Sequence, residues 1–394
     1  MKGPHYLDGM VALVPLLDRQ LGCVHCLPLE RGHFPHDIQV SGFHGTIHAT
    51  MRQSQVNQSI YSYGPTRGKV LTAFLFSFTI LGRAQNGDSL QVLPREEPFT
   101  IQTATAKVLR DYPHARAAVP VLAKNVIPHR ELVYSSIGKR ELHLDVYEPA
   151  DSVGRSFPAI LFIHGGGWRS GDRSMEVPMA LRLAVIGFVT ATVEYRLSRE
   201  ALYPAAVQDL KAAVRWLRAR ALDYHIDTTR IGVCGGSSGG HLAALLGATN
   251  GTRQYEEQER NPGHSSEVQA VVDIDGPVDL TRPEESGKDQ DPLKPSAGKH
   301  WIGFGFEERP DLWREASPLT YRNKMTPPIA FINSSIARFH VGRDEMIDKL
   351  KSMNIHTEVH SIPNSPHPFW LFHPWFEQTA TYVEAFFIKI LKKQ

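Results

Sequence analysis

The segment Cys234–His241 contains two adjacent serines, and each of them stands at the centre of a G-x-S-x-G pattern. A serine on a tight turn from a strand into a helix stands clear of the sheet and can act as a nucleophile. We predict that Ser237 is the nucleophile, because its pattern leaves Gly239 and Gly240 for the first helical turn, where the helix must lie against the sheet. A plain glycine–serine turn without chemistry is the alternative interpretation.

Three backbone N–H groups are candidates for stabilising the negative charge that develops on a substrate oxygen. The N–H of Ser238 follows the predicted nucleophile directly in the chain. The run HGGGW ends an earlier apolar stretch, and its glycines leave N–H groups accessible to an oxyanion. We predict that Gly166 and Gly167 are the donors in this run. We also predict that Trp168 contacts the substrate.

The general base should follow the serine in the chain and lie on a loop after the last strand. His367 satisfies this expectation, because it directly follows the strand-like segment HTEVHSIP in a proline-rich loop. His373 comes later, and we expect it to line the site or to cap the final helix.

The acid that orients the histidine has two candidate positions. Asp275 ends the apolar segment VQAVVDIDG, with Asp279 close behind it, whereas Asp344 lies after the next apolar segment, PPIAFINSS. An acid that only orients and stabilises the imidazole can occupy a different chain position while its geometry is kept. We favour Asp275 and keep Asp344 as the alternative. Since Asp-Gly pairs often form turns, Asp275 could also be a turn residue.

Apolar strand-like runs alternate with amphipathic helical segments from about residue 131 onward. Strand-like runs are found at 140–150, 157–168, 189–197, 230–236, 268–276, 327–335 and 356–363. This alternation predicts one α/β domain over 131–394, with a mostly parallel sheet flanked by helices. The aromatic residues at 300–313 lie in an insertion between two late strands. They are expected to form a small cap, a sugar-stacking wall or the core of the cap itself.

Taken together, FIHGGGW, EYRL and RIGVCGGSSGGHLAALLG resemble the α/β-hydrolase-fold serine esterases of the HGGG type. Among these esterases, the chain is most similar to bacterial carbohydrate esterases of the acetylxylan and feruloyl kind. The resemblance covers about 131–392, implies an eight-stranded sheet and places the family's nucleophile on Ser237. The chain departs from the family at the acid, because INSSIARFHVGRDEM supplies no carboxylate before Asp344.

The C-terminal run from FINSS to PHPFWLFHPWF also resembles esterases associated with pectin breakdown. Arg338, His340 and Arg343 lie in this run, where the family's acid is usually found. Because guanidinium groups pair with carboxylates through two hydrogen bonds, we predict that this cluster binds a substrate carboxylate. An ordinary basic helix start is the alternative.

Charge and cysteine content exclude several other classes of protein. A formal net charge of +2 over 394 residues, without any lysine–arginine run, gives no indication of a nucleic-acid partner. Three cysteines are too few for a disulfide-rich scaffold. The pair Cys23 and Cys26, with His33 and His36 nearby, has spacing too short for a zinc finger. We therefore predict no metal and no cofactor.

The region before the α/β domain has the layout of an exported protein's leader. Arg67 and Lys69 precede an apolar run at 70–81 that is too short to span a bilayer, and small residues at 82 and 84 resemble a cleavage site. We predict a leader over 1–84 with a signal peptide at 67–84, a lead-in segment at 85–130, and a secreted or periplasmic protein. A buried helix or strand is the alternative for 70–81. If Met51 is the true start, residues 1–50 are not part of the protein.

These features favour a secreted serine esterase that removes acetyl or methyl esters from pectin or xylan. A small-molecule esterase or aryl formamidase of the same fold is one alternative. A carbohydrate-binding relative without catalysis is another, motivated by the missing family aspartate. Oligomeric state is not indicated by the sequence.

Overall fold

The computed structural model describes residues 37–42, 45–50, 98–152, 154–256, 260–287, 295–321 and 323–392. The chain divides into two compact units, Met1–Ser89 and Leu90–Gln394. In the first unit, β1 (Asp37–Gly42) and β2 (Gly45–Thr50) pair in antiparallel fashion. The predicted signal segment at 67–84, Met51 and the two early cysteines lie outside the described residues.

The second unit contains the strands and helices that the alternating pattern predicts, with additions at its start. Its strands are β3 (Arg116–Ala117), β4 (Val126–Ile137), β5 (Arg140–Pro149), β6 (Phe157–Ile163), β7 (Val189–Val193), β8 (Ile226–Gly236), β9 (Ala270–Ile274), β10 (Ile329–Ser334), β11 (Thr357–Ile362) and β12 (Phe372–His373). Its α-helices are α1 (Ile101–Asp111), α2 (Val177–Val185), α3 (Ala205–Ala219), α4 (Ser238–Ala248), α5 (Pro283–Ser286), α6 (Ala297–Ile302), α7 (Pro310–Glu315), α8 (Arg343–Ser352) and α9 (Trp375–Phe387).

Short helical turns complete this unit. Residues Arg173–Glu176, Pro318–Thr320, Ala337–His340 and Phe369–Leu371 form 3₁₀ turns, and Ile388–Lys392 forms a π-helical turn after α9. Among the described residues, none of the helices combines the length and the apolar character that crossing a bilayer requires.

Eight strands form one sheet in the order β11-β10-β9-β8-β6-β7-β5-β4. Strand β5 runs antiparallel to both of its neighbours, and the other pairs are parallel, so the sheet is mostly parallel as the sequence predicts. After β7 the chain crosses to the other side of β6 to form β8. Ligands of open α/β sheets bind at the carboxyl ends of strands beside such a reversal.

Two apolar layers cover the two faces of this sheet. Every residue of β6 is buried, and its side chains alternate between the layers, because successive strand residues point to opposite faces. Ala159, Leu161 and Ile163 pack in the layer that contains α3 and α4. Ile160 and Phe162 pack in the layer that contains α2 and α9. The central strands are therefore fixed on both faces, which holds their carboxyl ends rigidly in place.

The lead-in segment is more structured than its polar composition indicates. The side chain of Thr100 accepts a hydrogen bond from the Thr103 N–H, and Thr103 bonds back to the Thr100 N–H, so the pair forms a capping box for α1. Ala104 and Val108 on α1 are buried in the layer that contains α9. Strand β4 also begins within the predicted lead-in, at Val126, and supplies the eighth strand of the sheet.

The described part of the insertion between β9 and β10 packs its tryptophans into the main core and not into a separate cap. Trp301 and Trp313 are both 0% exposed, and they belong to the same apolar layer as Trp168 and α4. Neither tryptophan is available as a sugar-stacking wall. The insertion extends the main core and packs beside the helix that follows the predicted nucleophile.

Candidate active site

Ser237 lies on a sharp turn between β8 and α4. Its backbone has φ 56° and ψ −124°, a strained conformation for a residue with a side chain and one that is found at nucleophile turns. The turn requires two very close backbone approaches. A Cβ atom on Gly239 would lie 2.1 Å from the carbonyl oxygen of Ile163, and one on Gly235 would lie 2.4 Å from the Gly239 carbonyl group. Glycine at both positions therefore allows β8, α4 and β6 to meet below the serine.

His367 lies on the loop after β11 and faces this serine. Its Nε2 atom is 2.8 Å from the Ser237 Oγ atom, and its Nδ1 atom is 3.0 Å from the Asp275 Oδ2 atom. The imidazole ring also stacks on the ring of Phe339. His373 lies in β12, where its Nδ1 atom is 3.7 Å from Glu377. The structure thus brings His367, and not His373, to the serine.

Asp275 directly follows β9 and is fully buried. Its Oδ1 atom accepts a hydrogen bond from the Ser334 N–H at 2.8 Å, and its Oδ2 atom accepts one from the Ser334 hydroxyl at 2.7 Å. With the bond from His367, this carboxylate has three short hydrogen bonds. Asp344, the alternative acid, lies in the first turn of α8 with an exposed side chain paired to Arg343 at 2.8 Å.

In the esterases that this chain resembles, the acid usually follows the strand that corresponds to β10. The end of that strand has a different role here. Ser334 is the last residue of β10, and it holds the carboxylate of Asp275 on the neighbouring strand β9. The candidate acid therefore lies one strand along the sheet from the position that the resemblance implies, and the hydroxyl at that usual strand end donates to it.

The environment of His367 suits a proton acceptor. Burial lowers the pKa of His367 below its ordinary value, and the hydrogen bond and charge of Asp275 oppose this effect. The cation of Arg338 adds a further lowering of that pKa. The imidazole is therefore neutral at neutral pH, as a base that takes the serine proton must be.

The two predicted donor glycines of the HGGG turn line the same cavity as Ser237. Gly166 and Gly167 have φ angles of 121° and 62°, which strongly favour glycine. The Ser170 N–H and hydroxyl both bond to the Gly166 carbonyl, at 3.2 and 3.1 Å, and fix this turn. Ser238 is the first residue of α4, so its N–H has no acceptor within the helix and lies at the positive end of the helix dipole.

Trp168 does not line a substrate wall as we predicted from the sequence. Its side chain is 3% exposed and stacks on Trp301 with ring centroids 4.9 Å apart. The Trp168 Nε1–H donates to His241 Nδ1 at 3.3 Å, and His241 Nε2–H donates to the Ala316 carbonyl at 2.8 Å. Burial lowers the pKa of His241 to about 4, so this ring is neutral. Trp168 therefore fixes the HGGG turn against α4 rather than contacting a ligand.

The predicted carboxylate-binding cluster also differs from our expectation. Arg338 donates to Glu285 at 3.1 Å, and Arg343 donates to Asn333 at 3.0 Å. His340 is half-buried, and burial together with the Arg343 cation lowers its pKa. All three residues lie outside the cavity that contains Ser237. Both guanidinium groups have partners within the protein, and neither is among the residues that line that cavity.

A cavity of about 830 Å³ opens in front of Ser237 and His367. Besides these two residues and the two glycines of the HGGG turn, its lining includes Pro98, Phe99, Lys107, Arg169, Ser170 and Arg199. The Phe99 N–H donates to the Ser170 hydroxyl at 3.1 Å and so ties the start of the lead-in segment to this turn. Sequence reasoning missed these residues. The T-x-x-T spacing before an apolar 3–4 repeat could have indicated α1.

Within the part of the chain that the structure describes, no group of three His, Cys, Asp or Glu side chains is placed to hold a metal ion.

Glu176 is a buried carboxyl group behind the nucleophile turn. It is 3% exposed, and its Oε1 atom accepts a hydrogen bond from Trp370 Nε1 at 3.4 Å. The Trp370 ring fills the space beside Gly236, where a Cβ atom would lie 2.1 Å from it. Burial raises the pKa of Glu176 to about 8 from an ordinary value of 4.5.

We expect Glu176→Gln to stabilise the protein increasingly as pH rises from 4.5 to 8. Below pH 4.5 both states of the natural protein carry the proton. Above it the unfolded state ionises first, so folding stability falls by at most about 1.4 kcal/mol per pH unit until the folded group titrates near pH 8. A neutral amide of similar shape avoids this loss.

Urea unfolding at pH 5, 6.5 and 8 measures this effect, with the exposed Asp348→Asn variant on α8 as the control. Parallel pH profiles for the natural protein and Glu176→Gln would contradict a neutral buried Glu176.

Comparisons with known proteins agree with this architecture. The BD-FAE family model matches residues 144–358, which is more than half of the chain. Esterase LipC of Mycobacterium tuberculosis is 33% identical over 193 residues, which cover 49% of this chain and 47% of LipC. Esterase LipQ of the same organism is 28% identical over 247 residues, which cover 59% of this chain and 55% of LipQ. The chain thus spans about half the length of these curated relatives.

Solved structures match a larger share of this chain. A truncated carbohydrate esterase from gut microbiota is 26% identical with a TM-score of 0.57, and the match covers 69% of this chain and 99% of that one. The apo form of Thermogutta terrifontis esterase 2 is 24% identical with a TM-score of 0.56, covering 71% and 97% of the two chains. The α/β-hydrolase fold expected from the sequence is confirmed.

Proposed function

This chain belongs to the BD-FAE family, and on that basis and the geometry of its site we propose that it is a serine carboxylic-ester hydrolase. The observation that carries the proposal is the linear arrangement of Ser237, His367 and Asp275, joined by contacts of 2.8 and 3.0 Å. A nucleophile, a base and a group that orients the base are the parts that acyl transfer requires.

In the first half of the proposed reaction, Ser237 Oγ attacks the ester carbonyl carbon while its proton passes to His367 Nε2. The carbonyl oxygen becomes an oxyanion, which the N–H groups of Gly166, Gly167 and Ser238 stabilise. Asp275 keeps the imidazole in the tautomer that accepts at Nε2 and stabilises the imidazolium. The bond from carbon to the alcohol oxygen then breaks, and His367 gives its proton to the leaving alcohol.

The second half uses the same groups with water in place of the alcohol. His367 takes a proton from water, and the resulting hydroxide oxygen bonds to the acyl carbon of the Ser237 ester. Collapse of the second oxyanion breaks the bond to Ser237 Oγ, which regains its proton from His367. A carboxylic acid leaves, and the enzyme is returned to its starting state.

We propose that the substrates are acetyl or methyl esters of plant cell-wall polysaccharide, either pectin or xylan. Two observations support this class: the HGGG and elbow motifs resemble carbohydrate esterases, and a carbohydrate esterase is among the similar solved structures. The cavity in front of Ser237 is large enough for a sugar residue beside a small acyl group. The proposal includes export to the periplasm or cell exterior, for which the apolar segment at 70–81 is the supporting feature.

A release assay with the purified protein tests the substrate class. We expect acetate or methanol to be released from at least one of acetylated xylan, acetylated pectin and methylated pectin. The rate should exceed that on an aryl formamide, which is the substrate type of the alternative amidase function. Hydrolysis of the aryl formamide alone would replace the proposed substrates with that small-molecule class.

One alternative function was a carbohydrate-binding protein without catalysis. It depended on a missing acid, and Asp275 now stands in hydrogen-bond contact with His367. Labelling of Ser237 by a fluorophosphonate probe, blocked in Ser237→Ala, checks this point directly.

A further inference from the structure

Cationic side chains gather at the mouth of the cavity in front of Ser237. Lys107 of α1, Arg199 after β7 and Arg169 after the HGGG turn all line it, and no carboxylate is among the lining residues that the structure describes. A Cβ atom placed on Gly167 would lie 3.8 Å from Arg169 Nε, so this guanidinium group is close to the oxyanion turn. Three elements that are distant in sequence thus contribute positive charge to one opening.

Two of these cations differ from the other basic groups near the site. Lys107 and Arg199 form no ion pair with any residue that the structure describes, whereas Arg338 is paired with Glu285. An unpaired exposed cation costs little in water and can pair with an incoming anion. Clefts lined by one sign of charge also raise the local concentration of an oppositely charged substrate.

The position of these cations indicates which part of the substrate they face. Ser237 and His367 are partly buried at the floor of the cavity, whereas Lys107 and Arg199 are exposed at its edge. A small acyl group bound at the oxyanion turn is confined to the floor. For an acetyl ester in the proposed reaction, the sugar is the alcohol part, and it is therefore the part of the substrate that extends toward the two exposed cations.

We infer that this site selects sugar esters whose alcohol part carries carboxylates, and that the segment Pro98–Asp111 builds the selective entrance. The inference rests on the proposed function and narrows it to acetyl esters of acidic polysaccharide. Lys107 and Arg199 pair with the carboxylates of sugar residues beside the esterified one. The bond from Phe99 to Ser170 holds this segment against the HGGG turn, so that Lys107 is fixed in relation to Ser237.

The test compares kcat/KM for an acetylated oligogalacturonide with that for an acetylated xylo-oligosaccharide of the same length, using the full chain. We expect the ratio of the two values to fall about tenfold in Lys107→Glu and in Arg199→Glu, which corresponds to about 1.4 kcal/mol each. It should also fall in high salt, which screens exposed charges. Arg110→Glu is the matched control, because it makes the same charge change on the exposed face of α1 outside the cavity, and it should leave the ratio unchanged.

Equal ratios in Lys107→Glu, Arg199→Glu and the natural protein would overturn the inference while leaving the esterase function in place. If the natural protein hydrolyses no ester, the proposed function fails, and binding then decides the inference separately. In that arm, calorimetry measures trigalacturonate and xylotriose binding to Ser237→Ala. Binding of trigalacturonate that is lost on adding Lys107→Glu supports the acidic entrance, and equal or no binding of the two sugars overturns it.

Discussion

Replacing Ser237 with alanine is expected to lower kcat for a short-chain aryl ester by a factor on the order of 10⁴ to 10⁶. The change removes the oxygen that lies 2.8 Å from His367 Nε2, so no acyl-enzyme can form. The fold should be kept, because alanine leaves the backbone of the turn intact. Initial rates on 4-nitrophenyl acetate, with thermal unfolding as the measure of folding, provide the result.

The adjacent serine is the matched control for this prediction. Ser238→Ala retains the backbone N–H that we propose as an oxyanion donor, so we expect activity within about tenfold of the natural protein. The hydroxyl of Ser238 is buried at the start of α4. The contact of His367 Nε2 is to the hydroxyl of Ser237. An inactive Ser238→Ala beside an active Ser237→Ala would show that the other G-x-S-x-G pattern supplies the nucleophile.

The fold could be predicted where strands are buried on both faces. Continuous apolar runs in the sequence predicted β6, β8, β9 and β10, because strands covered by helices on both sides carry few polar residues. Strand β4 was missed, since it lies at the sheet edge and its side chains alternate irregularly between buried and exposed. Helix α1 was missed for a related reason: most of its residues that are not buried are polar, and only the two small apolar residues Ala104 and Val108 are buried.

The site could be predicted where its chemistry is local in sequence. The turn at Ser237 and the HGGG run each carry their glycines within a few residues. The role of Arg338 could not be predicted, because its partner Glu285 lies on the insertion between β9 and β10. Trp168 was misplaced for the same reason, since Trp301 covers it from that insertion.

Replacing Asp275 with asparagine is expected to lower kcat by about 10⁴ with little change in folding. Asparagine keeps one oxygen that can accept the Ser334 N–H, so the loop after β9 should hold its shape. Its amide N–H₂ would instead donate toward His367 Nδ1. That bond favours the tautomer with the proton on Nε2, which cannot accept a proton from Ser237, and no charge remains to stabilise the imidazolium.

The two carboxylates that the sequence left as alternatives give this experiment its control. Asp344→Asn should change kcat less than twofold, because that side chain is exposed and pairs with Arg343 at the start of α8. Rates on 4-nitrophenyl acetate and unfolding midpoints for both variants separate catalysis from stability. A fully active Asp275→Asn variant and an inactive Asp344→Asn variant would instead assign the acid to Asp344, after the strand that the family usually uses. If both variants keep full activity, the histidine needs no carboxylate, and Ser334 and its neighbours would have to orient the base through neutral hydrogen bonds alone.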